Sequence, residues 1–208
     1  MSATRLVVMA SGRGSNFEAI CSAIIKGELN AEIIALVSDK AGAPVVSKAA
    51  ELGIPNVAVL ERKGFASRKA YDEALTLLVR GFRPDIVALA GFMRILGGCF
   101  VEAFAGRIVN IHPALLPSFP GLDAQRQALD YGAKVTGATV HFVDEGTDTG
   151  PVILQKAVPI LENDDEESLS ERILAEEHSL YVQALKLISE GRVRIEGEKV
   201  RIAEEGDA

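Results

Sequence analysis

A short apolar stretch ends in two polar side chains whose types suit acyl chemistry. Residues 108–111 are mostly apolar, which is typical of a buried strand, and Pro113 ends that strand because proline donates no backbone hydrogen bond. Side chains alternate along a strand, so Asn110 and His112 share one face, roughly 6–7 Å apart. Such an amide can stabilise a developing oxyanion while the imidazole beside it moves a proton. The alternative is a polar strand end whose groups are satisfied by loop backbone.

A loop rich in glycine and acidic residues, 144–150, offers a carboxylate for this pair. A carboxylate beside an imidazole raises its basicity and orients the ring. We predict that Asp148, inside the turn and two residues before Gly150, is the partner of His112. Asp144 ends the preceding strand, where a capping role is adequate. For any one of these acidic residues, a solvated turn is the alternative.

A glycine-rich turn, Ser11–Asn16, lies between the first predicted strand and the first predicted helix. Glycines let backbone N–H groups approach a ligand, and a helix N-terminus attracts an anion. A dinucleotide fingerprint would require glycine at position 17, where Phe17 stands, so a single phosphate suits the loop better. We predict that Gly14, Ser15 and Asn16 bind it. The alternative is a tight turn in which Ser15 only caps the helix.

Strand and helix signals alternate along most of the chain, which predicts an α/β fold. We expect a single domain with a doubly wound, mostly parallel, Rossmann-like sheet, helices on both faces and a C-terminal hairpin. The predicted strands are 6–10, 33–37, 57–60, 86–90, 108–112, 135–143 and 152–160, and the hairpin joins 192–195 to 200–202. The predicted helices are 15–26, 44–52, 67–80, 125–131 and 168–189. Ligands of such sheets bind at the carboxyl ends of the strands.

Two details of this pattern give specific expectations. Two sets of residues alternate over 135–143, which predicts a strand with two distinct faces: Val135, Gly137, Thr139, His141 and Val143 on one, and Thr136, Ala138, Val140 and Phe142 on the other. Asp39 follows the second strand, where it could bind a ribose, but we expect a solvated loop acid.

Composition restricts the classes of partner and compartment. The chain has 208 residues, 48% of them apolar, which is typical of a soluble globular enzyme. Its net charge of −7 argues against a nucleic-acid partner, because binding phosphate backbones requires a basic surface. Cys21 and Cys99 have no metal-ligand spacing, so we expect free thiols in a reducing cytosol. No apolar run reaches the 18 or more residues of a membrane helix. We therefore expect a cytoplasmic protein with no membrane partner.

Four motifs, in order from residue 5 to about 190, resemble one enzyme family. They are Ser-Gly-Arg-Gly-Ser-Asn at 11–16, Gly-Phe-Met-Arg-Ile-Leu at 91–96, Asn-Ile-His-Pro at 110–113 with Leu-Leu-Pro at 115–117, and the segment 137–151 that holds His141, Asp144 and Asp148. Each motif alone is weak, but four in register are specific. The chain resembles the phosphoribosylglycinamide formyltransferases.

The resemblance implies a reaction and the residues that perform it. The formyl group of the cosubstrate 10-formyltetrahydrofolate would pass to the amine of 5'-phosphoribosylglycinamide. The products would be formylglycinamide ribonucleotide and tetrahydrofolate, in de novo purine (IMP) biosynthesis. Asn110 and a protonated His112 would stabilise the oxyanion, and Asp148 would support the charge of His112. We expect no metal, because His112, His141 and His178 lack a plausible ligand set.

The resemblance also implies how the ribonucleotide substrate binds. Gly14, Ser15 and Asn16 would hold its phosphate. Glu177, in the long helix 168–189, would hold the ribose or the glycinamide amine. The alternative for Glu177 is an acid on the helix surface.

For the folate, the resemblance implies a separate set of residues: Arg68, Met93, Arg94, Ile95, Leu96 and Asn110. Arg68 would meet the glutamate carboxylate, which a guanidinium fork fits well, although an exposed helix charge is the alternative. The segment 93–96 would present backbone and apolar surface to the pterin, although ordinary core packing is the alternative.

We expect residues 1–208 to form one formyltransferase domain. Its phosphate-binding half would span about 1–100, and its folate-binding and catalytic half about 85–190. The expected oligomeric state is a monomer or a weak homodimer. The chain departs from similar enzymes at Asp123 and Gln125, where histidines are frequent, and at Thr147, where an aliphatic residue is usual.

Three other functions compete with this interpretation. A formyltetrahydrofolate hydrolase would use the same residues on water, but we expect it to carry an extra N-terminal domain, whereas this sequence starts on strand one. A methionyl-tRNA formyltransferase would need a basic C-terminal domain. A non-catalytic sugar-phosphate-binding module would explain the glycine loop, but not Asn110, His112 and Asp148 together.

Overall fold

The computed structural model of the chain describes residues 2–204. Contacts divide it into an N-terminal unit, which ends at Val109, and a C-terminal unit, which begins at Asn110.

The N-terminal unit contains four parallel strands in the order β3-β2-β1-β4. Its strands are β1 (Thr4–Met9), β2 (Ala31–Ser38), β3 (Val57–Val59) and β4 (Ile86–Leu89). Its helices are α1 (Ser15–Ile25), α2 (Pro44–Glu51), α3 (Arg68–Phe82) and α4 (Gly98–Ala103), with a 3₁₀ turn at Arg62–Gly64. Every residue of β4 is buried, which explains its continuous apolar sequence.

Strand β5 (Ile108–His112) crosses the division, and the other elements of the C-terminal unit follow it. They are α5 (Ala124–Tyr131), β6 (Val135–Phe142), β7 (Val152–Pro159), α6 (Glu166–Ser189), β8 (Val193–Glu196) and β9 (Lys199–Ile202). The pairs β6 with β7 and β8 with β9 are antiparallel.

The predicted fold class is confirmed. Seven strands form one mostly parallel sheet in the order β3-β2-β1-β4-β5-β6-β7, and β8 and β9 form the expected hairpin. Sequence order and spatial order differ, because β2 and β3 lie on one side of β1 and β4 lies on the other.

The long helix α6 begins two residues earlier than its sequence pattern predicts. Asp165 accepts a hydrogen bond from the backbone N–H of Ser168, whose hydroxyl accepts one from the backbone N–H of Asp165. This capping box satisfies two N–H groups, so the helix begins at Glu166. One apolar stripe of this helix is buried: Leu169, Ile173, Leu180, Ala184 and Leu187.

The strand expected at 135–143 is present as β6, and both of its faces are buried. Every residue of this strand except Val135 is buried. Its polar side chains are buried with partners rather than solvated, as Thr139 shows. Its hydroxyl donates to Ala114 O at 2.6 Å and accepts from Leu116 N at 3.1 Å. A satisfied polar group can lie in a core, so the polar side chains of this strand do not require a face exposed to solvent.

Across residues 2–204, no helix is both long enough and apolar enough to span a bilayer.

Candidate active site

His112 and Asp148, 36 positions apart in sequence, meet in the C-terminal unit. His112 is the last residue of β5, and Asp148 lies in the loop between β6 and β7. The distance from His112 Nδ1 to Asp148 Oδ2 is 3.3 Å. His112 is only 4% exposed, so water screens this contact little.

The loop that carries Asp148 has a constrained backbone. Asp148 has a φ of 55°, in the left-handed region that few residues other than glycine, asparagine and aspartate adopt. Asp144 instead closes the turn, since its Oδ1 accepts from Gly146 N at 3.0 Å and from the Thr149 hydroxyl at 2.7 Å. Asp148 rather than Asp144 therefore faces the imidazole.

The segment after β5 returns over the same two side chains. The carbonyl of Phe119 lies 2.9 Å from His112 Nε2, and Gly121 N donates to Asp148 Oδ2 at 2.8 Å. A carbonyl only accepts, so Nε2 of His112 carries a proton and donates it. Both ring nitrogens of His112 thus face oxygen acceptors.

Two opposing effects act on the pKa of His112. Burial disfavours the charged ring and lowers its pKa below the usual 6.5, which is the net direction. The Phe119 carbonyl and the Asp148 carboxylate raise the pKa and offset part of this effect. Burial thus works against the protonated His112 that we expected, whereas the two acceptors favour it. The two acceptors therefore stabilise a proton on His112, while burial makes that proton easier to release.

The pKa of Asp148 is lowered. Burial alone would raise it, but the nearby side chain of His141, a hydrogen bond from the Gly121 backbone and the electrostatic effect of His112 outweigh that effect. Asp148 therefore remains a carboxylate and can stabilise an imidazolium.

Asn110 has a partner that the sequence interpretation missed. Its Nδ2 lies 3.2 Å from Nε2 of His141, a buried residue on β6. Nε2 of His141 also lies 3.6 Å from Asp148 Oδ1. The sequence places His141 on a predicted strand and in one of the four motifs, but a single histidine in a mostly apolar segment does not indicate which neighbour it meets. A polar residue close to the carboxyl end of a buried strand was the available signal.

The predicted phosphate loop lies in the N-terminal unit at the start of α1. Gly14 is the residue before the helix, with a φ of 80°. A Cβ at this position would lie 2.5 Å from Cγ2 and 2.8 Å from Cβ of Val45, so both backbone and space require glycine. Ser15 is the first residue of α1 and is not its N-cap, which excludes the capping alternative. Asn16 is buried.

The segment Gly91–Leu96 is tied to this loop and to β2 within the same unit. Met93 N donates to the Ser11 hydroxyl at 2.9 Å. Arg94 Nε donates to Asp39 Oδ2 at 2.7 Å, and its guanidinium lies over the Tyr71 ring, 5.4 Å from the centroid. Asp39 is 4% exposed, so the expectation of a solvated acid is wrong. Arg94, 55 residues away in sequence, neutralises it, which is why it can be buried.

The other residues assigned to the folate differ in exposure. Met93 and Ile95 are 60% and 66% exposed, which is unusual for large apolar side chains and contradicts simple core packing for these two. Leu96 is half-buried. Arg68, at the start of α3, is largely exposed and donates to Ile95 O at 3.2 Å.

Glu177 lies on α6 and is 7% exposed. This burial contradicts the alternative of an acid on the helix surface. Carboxylates are rarely buried without partners.

In the part of the chain that the structure describes, no group of three or more His, Cys, Asp or Glu residues could hold a metal ion.

The chain is similar to known proteins over most of its length. Residues 4–185 match the family model described as formyl transferase. The chain is 44% identical over 182 residues to the phosphoribosylglycinamide formyltransferase of Bacillus subtilis, covering 88% of this chain and 93% of that protein. A crystal structure of glycinamide ribonucleotide transformylase 1 from Symbiobacterium toebii superposes with a TM-score of 0.94 at 46% identity, covering 97% of this chain and 95% of that one.

Some relatives are much longer. The chain is 46% identical over 196 residues to the trifunctional purine biosynthetic protein adenosine-3 of Drosophila melanogaster, covering 93% of this chain but 14% of that protein. The chain belongs to the formyl transferase family.

Proposed function

We propose that this protein transfers the formyl group of 10-formyltetrahydrofolate to the amine of 5'-phosphoribosylglycinamide. The products are formylglycinamide ribonucleotide and tetrahydrofolate, and the step belongs to de novo purine (IMP) biosynthesis. The observation that carries the proposal is the contact between His112 and Asp148 in a chain whose relatives over nearly full length are named for this activity.

The proposed reaction is a direct transfer. The substrate amine attacks the formyl carbon, and an N–H of Asn110 donates to the carbonyl oxygen as it becomes negative. The bond from the formyl carbon to the folate nitrogen then breaks, while the new carbon–nitrogen bond remains. The protonated His112 gives its Nε2 proton to the departing folate nitrogen, and the neutral ring then takes up the proton that the attacking amine loses. Asp148 stabilises the imidazolium before the first of these transfers and after the second.

In this mechanism the acceptors around His112 have a defined role. The low pKa of the buried ring makes its protonated form a good donor, and Asp148 keeps that form accessible. Nε2 of His112 donates to Phe119 O in the structure. During transfer, a reacting group replaces this carbonyl as the partner of Nε2.

The residues proposed to bind the ribonucleotide lie on two helices, α1 and α6. Backbone N–H groups of Gly14, Ser15 and Asn16 at the start of α1 hold the phosphate, because a helix N-terminus favours an anion. Glu177 holds the ribose or the amine.

The folate binds to other residues of the proposed set. The exposed side chains of Met93 and Ile95, with Arg94, Leu96 and the backbone of this segment, contact the pterin. Arg68 meets the glutamate carboxylate. Asn110 contacts the transferred group.

We also propose a setting for the enzyme. Residues 1–208 act as one formyltransferase domain, as a monomer or weak homodimer, in the cytoplasm. The proposed reaction uses the two small-molecule substrates alone, with no metal.

The test is the absorbance change as tetrahydrofolate forms from 10-formyltetrahydrofolate, with and without 5'-phosphoribosylglycinamide. We expect turnover only when the ribonucleotide is present, with one formylated ribonucleotide per tetrahydrofolate. Turnover without the ribonucleotide, with release of formate, would identify a hydrolase instead. Binding of the ribonucleotide without turnover would identify a non-catalytic module.

A further inference from the structure

We propose that His141 is a positioning residue that fixes the side-chain amide of Asn110 for catalysis. This inference deepens the proposed function and rests on it. It comes from the contact between Asn110 Nδ2 and His141 Nε2 at 3.2 Å.

The tautomer of His141 follows from its second nitrogen. Nδ1 lies 2.8 Å from the carbonyl oxygen of Phe142. A carbonyl has no proton to donate, so Nδ1 carries the proton. In a neutral imidazole the other nitrogen, Nε2, is then an acceptor with a free lone pair.

That lone pair determines which end of the Asn110 amide faces His141. Only the NH₂ group can donate to an acceptor, so Nδ2 faces His141 and the amide cannot flip without placing two acceptors together. One N–H of Asn110 is engaged in this contact. The second N–H remains on the same nitrogen, in a fixed orientation, to donate to the oxygen of the formyl group.

An irregularity in the sheet lies directly beside His141 and helps to direct its side chain toward Asn110. The pairing of β6 with β7 shifts register between Val140 and His141. Such shifts change the direction of a side chain and are frequent beside active sites. Gly150 packs against the same carbonyl that holds His141, since a Cβ there would collide with Phe142 O. Both the ring nitrogen and its acceptor are thus held by the strand pair.

Two titratable side chains lie near His141. The first is Asp148, in the loop after β6, whose Oδ1 is 3.6 Å from Nε2 of His141. The second is His112, at the end of β5, which interacts electrostatically with His141. A proton on Nε2 would turn this nitrogen into a donor, which would favour Asp148 and release Asn110. The neutral ring is therefore the form that positions the amide.

Two variants separate the contacts of His141. In His141→Asn, the new side-chain amide reaches only the place that Nδ1 of the histidine occupied. This variant therefore keeps a donor for Phe142 O and loses the acceptor for Asn110. The longer His141→Gln reaches the place of Nε2 and keeps an acceptor there. We expect kcat to fall about 10- to 100-fold in His141→Asn, with each KM changed less than about threefold, because a misplaced group affects the transition state. We expect His141→Gln to be at least about fivefold faster than His141→Asn.

The same substitution in an Asn110→Ala background tests whether His141 acts through Asn110. We expect His141→Asn to cost less than about threefold in kcat there, because no amide remains to be positioned. An equal loss in both backgrounds, or equal rates for the Asn and Gln variants, would overturn the proposal. A merely structural role would lower the melting temperature but would not produce this coupling.

Nitrogen-15 NMR of the ring nitrogens in the unmodified protein tests the proposal without any activity assay. At neutral pH we expect the His141 signals of a ring protonated at Nδ1 only, assigned by their loss in His141→Gln. A ring protonated at Nε2 only would overturn the proposal even if the enzyme transfers formyl groups. The expected tautomer would stand even if the proposed reaction failed.

Discussion

At the residue scale, the chemistry depends on how one imidazole is surrounded. His112 has a carbonyl on one nitrogen and a carboxylate near the other, and almost no water around it. Burial lowers its pKa while the acceptors support its charge. This balance lets the ring give up a proton and take one up from an amine, which neither a solvated nor an unpaired histidine would do as well.

The lowered pKa of His112 predicts a pH dependence of stability. As pH falls below about 6.5, the unfolded chain takes up a proton on His112 that the folded chain resists, so the free energy of unfolding decreases. In His112→Asn this contribution is absent. We expect urea unfolding to show that the free energy of unfolding decreases less in this variant as pH falls from 7.5 to 5. The slopes of the two proteins should differ by at most the contribution of one bound proton.

The control for this measurement is Lys199→Ala on the exposed hairpin, which should keep the slope of the unmodified protein. Asp148 does not interfere, because its pKa is lowered from 3.8 and the stability that it contributes is lost only as pH falls below about that value. An unchanged slope in His112→Asn would contradict the role of burial.

At the element scale, the start of α1 is the feature that the proposed phosphate site depends on. Gly14 combines a left-handed backbone with close packing against Val45. No side-chain hydrogen bond from the N-cap position reaches the N–H groups at this end of the helix. An anion is the natural partner for such groups.

We expect Gly14→Ala to raise KM for the ribonucleotide at least about tenfold, because the loop must shift to relieve the strain. KM for the folate should change less than about threefold. Gly12→Ala in the same turn is the matched control, since its Cβ would meet no atom within 4 Å. Equal effects of Gly14→Ala on both KM values, measured by steady-state kinetics, would argue against a phosphate site here.

Much of this architecture was accessible from the sequence, because continuous apolar runs such as β4 and flanking signals such as Pro44 and Gly132 act locally. Contacts between distant residues were not. Nothing near Asp39 in sequence indicates that Arg94 will neutralise it. Likewise, the pattern of β6 shows a histidine at position 141 but not the amide that it meets. Such pairs depend on which strands become neighbours, which local periodicity does not encode.

At the scale of the whole molecule, ligand binding must stabilise the fold if the proposed sites are real. A ligand that binds only the folded protein adds about 2.7 kcal/mol at 100 times its Kd. For a chain of this length, 1 kcal/mol shifts Tm by about 2–4 °C. The acidic net charge of −7 does not prevent this, because binding of an anion depends on the local field of the site.

We therefore expect 5'-phosphoribosylglycinamide and a folate analogue, each near 100 times its Kd, to raise Tm by about 5–10 °C. At that same ribonucleotide concentration, the shift should be smaller in Gly14→Ala, while the folate shift remains. Differential scanning calorimetry measures both. Loss of both shifts in this variant would mean that the substitution disturbs the whole fold rather than one site.

The central claim is that Asn110 stabilises the oxyanion of formyl transfer beside His112 and Asp148. Its most direct test is the single-turnover rate of formyl transfer in Asn110→Ala, with folding checked by circular dichroism. We predict a rate about 10²- to 10³-fold lower, equivalent to roughly 3–4 kcal/mol of barrier, with both substrates still bound. A folded Asn110→Ala protein that transfers the formyl group within about threefold of the unmodified rate would contradict the account.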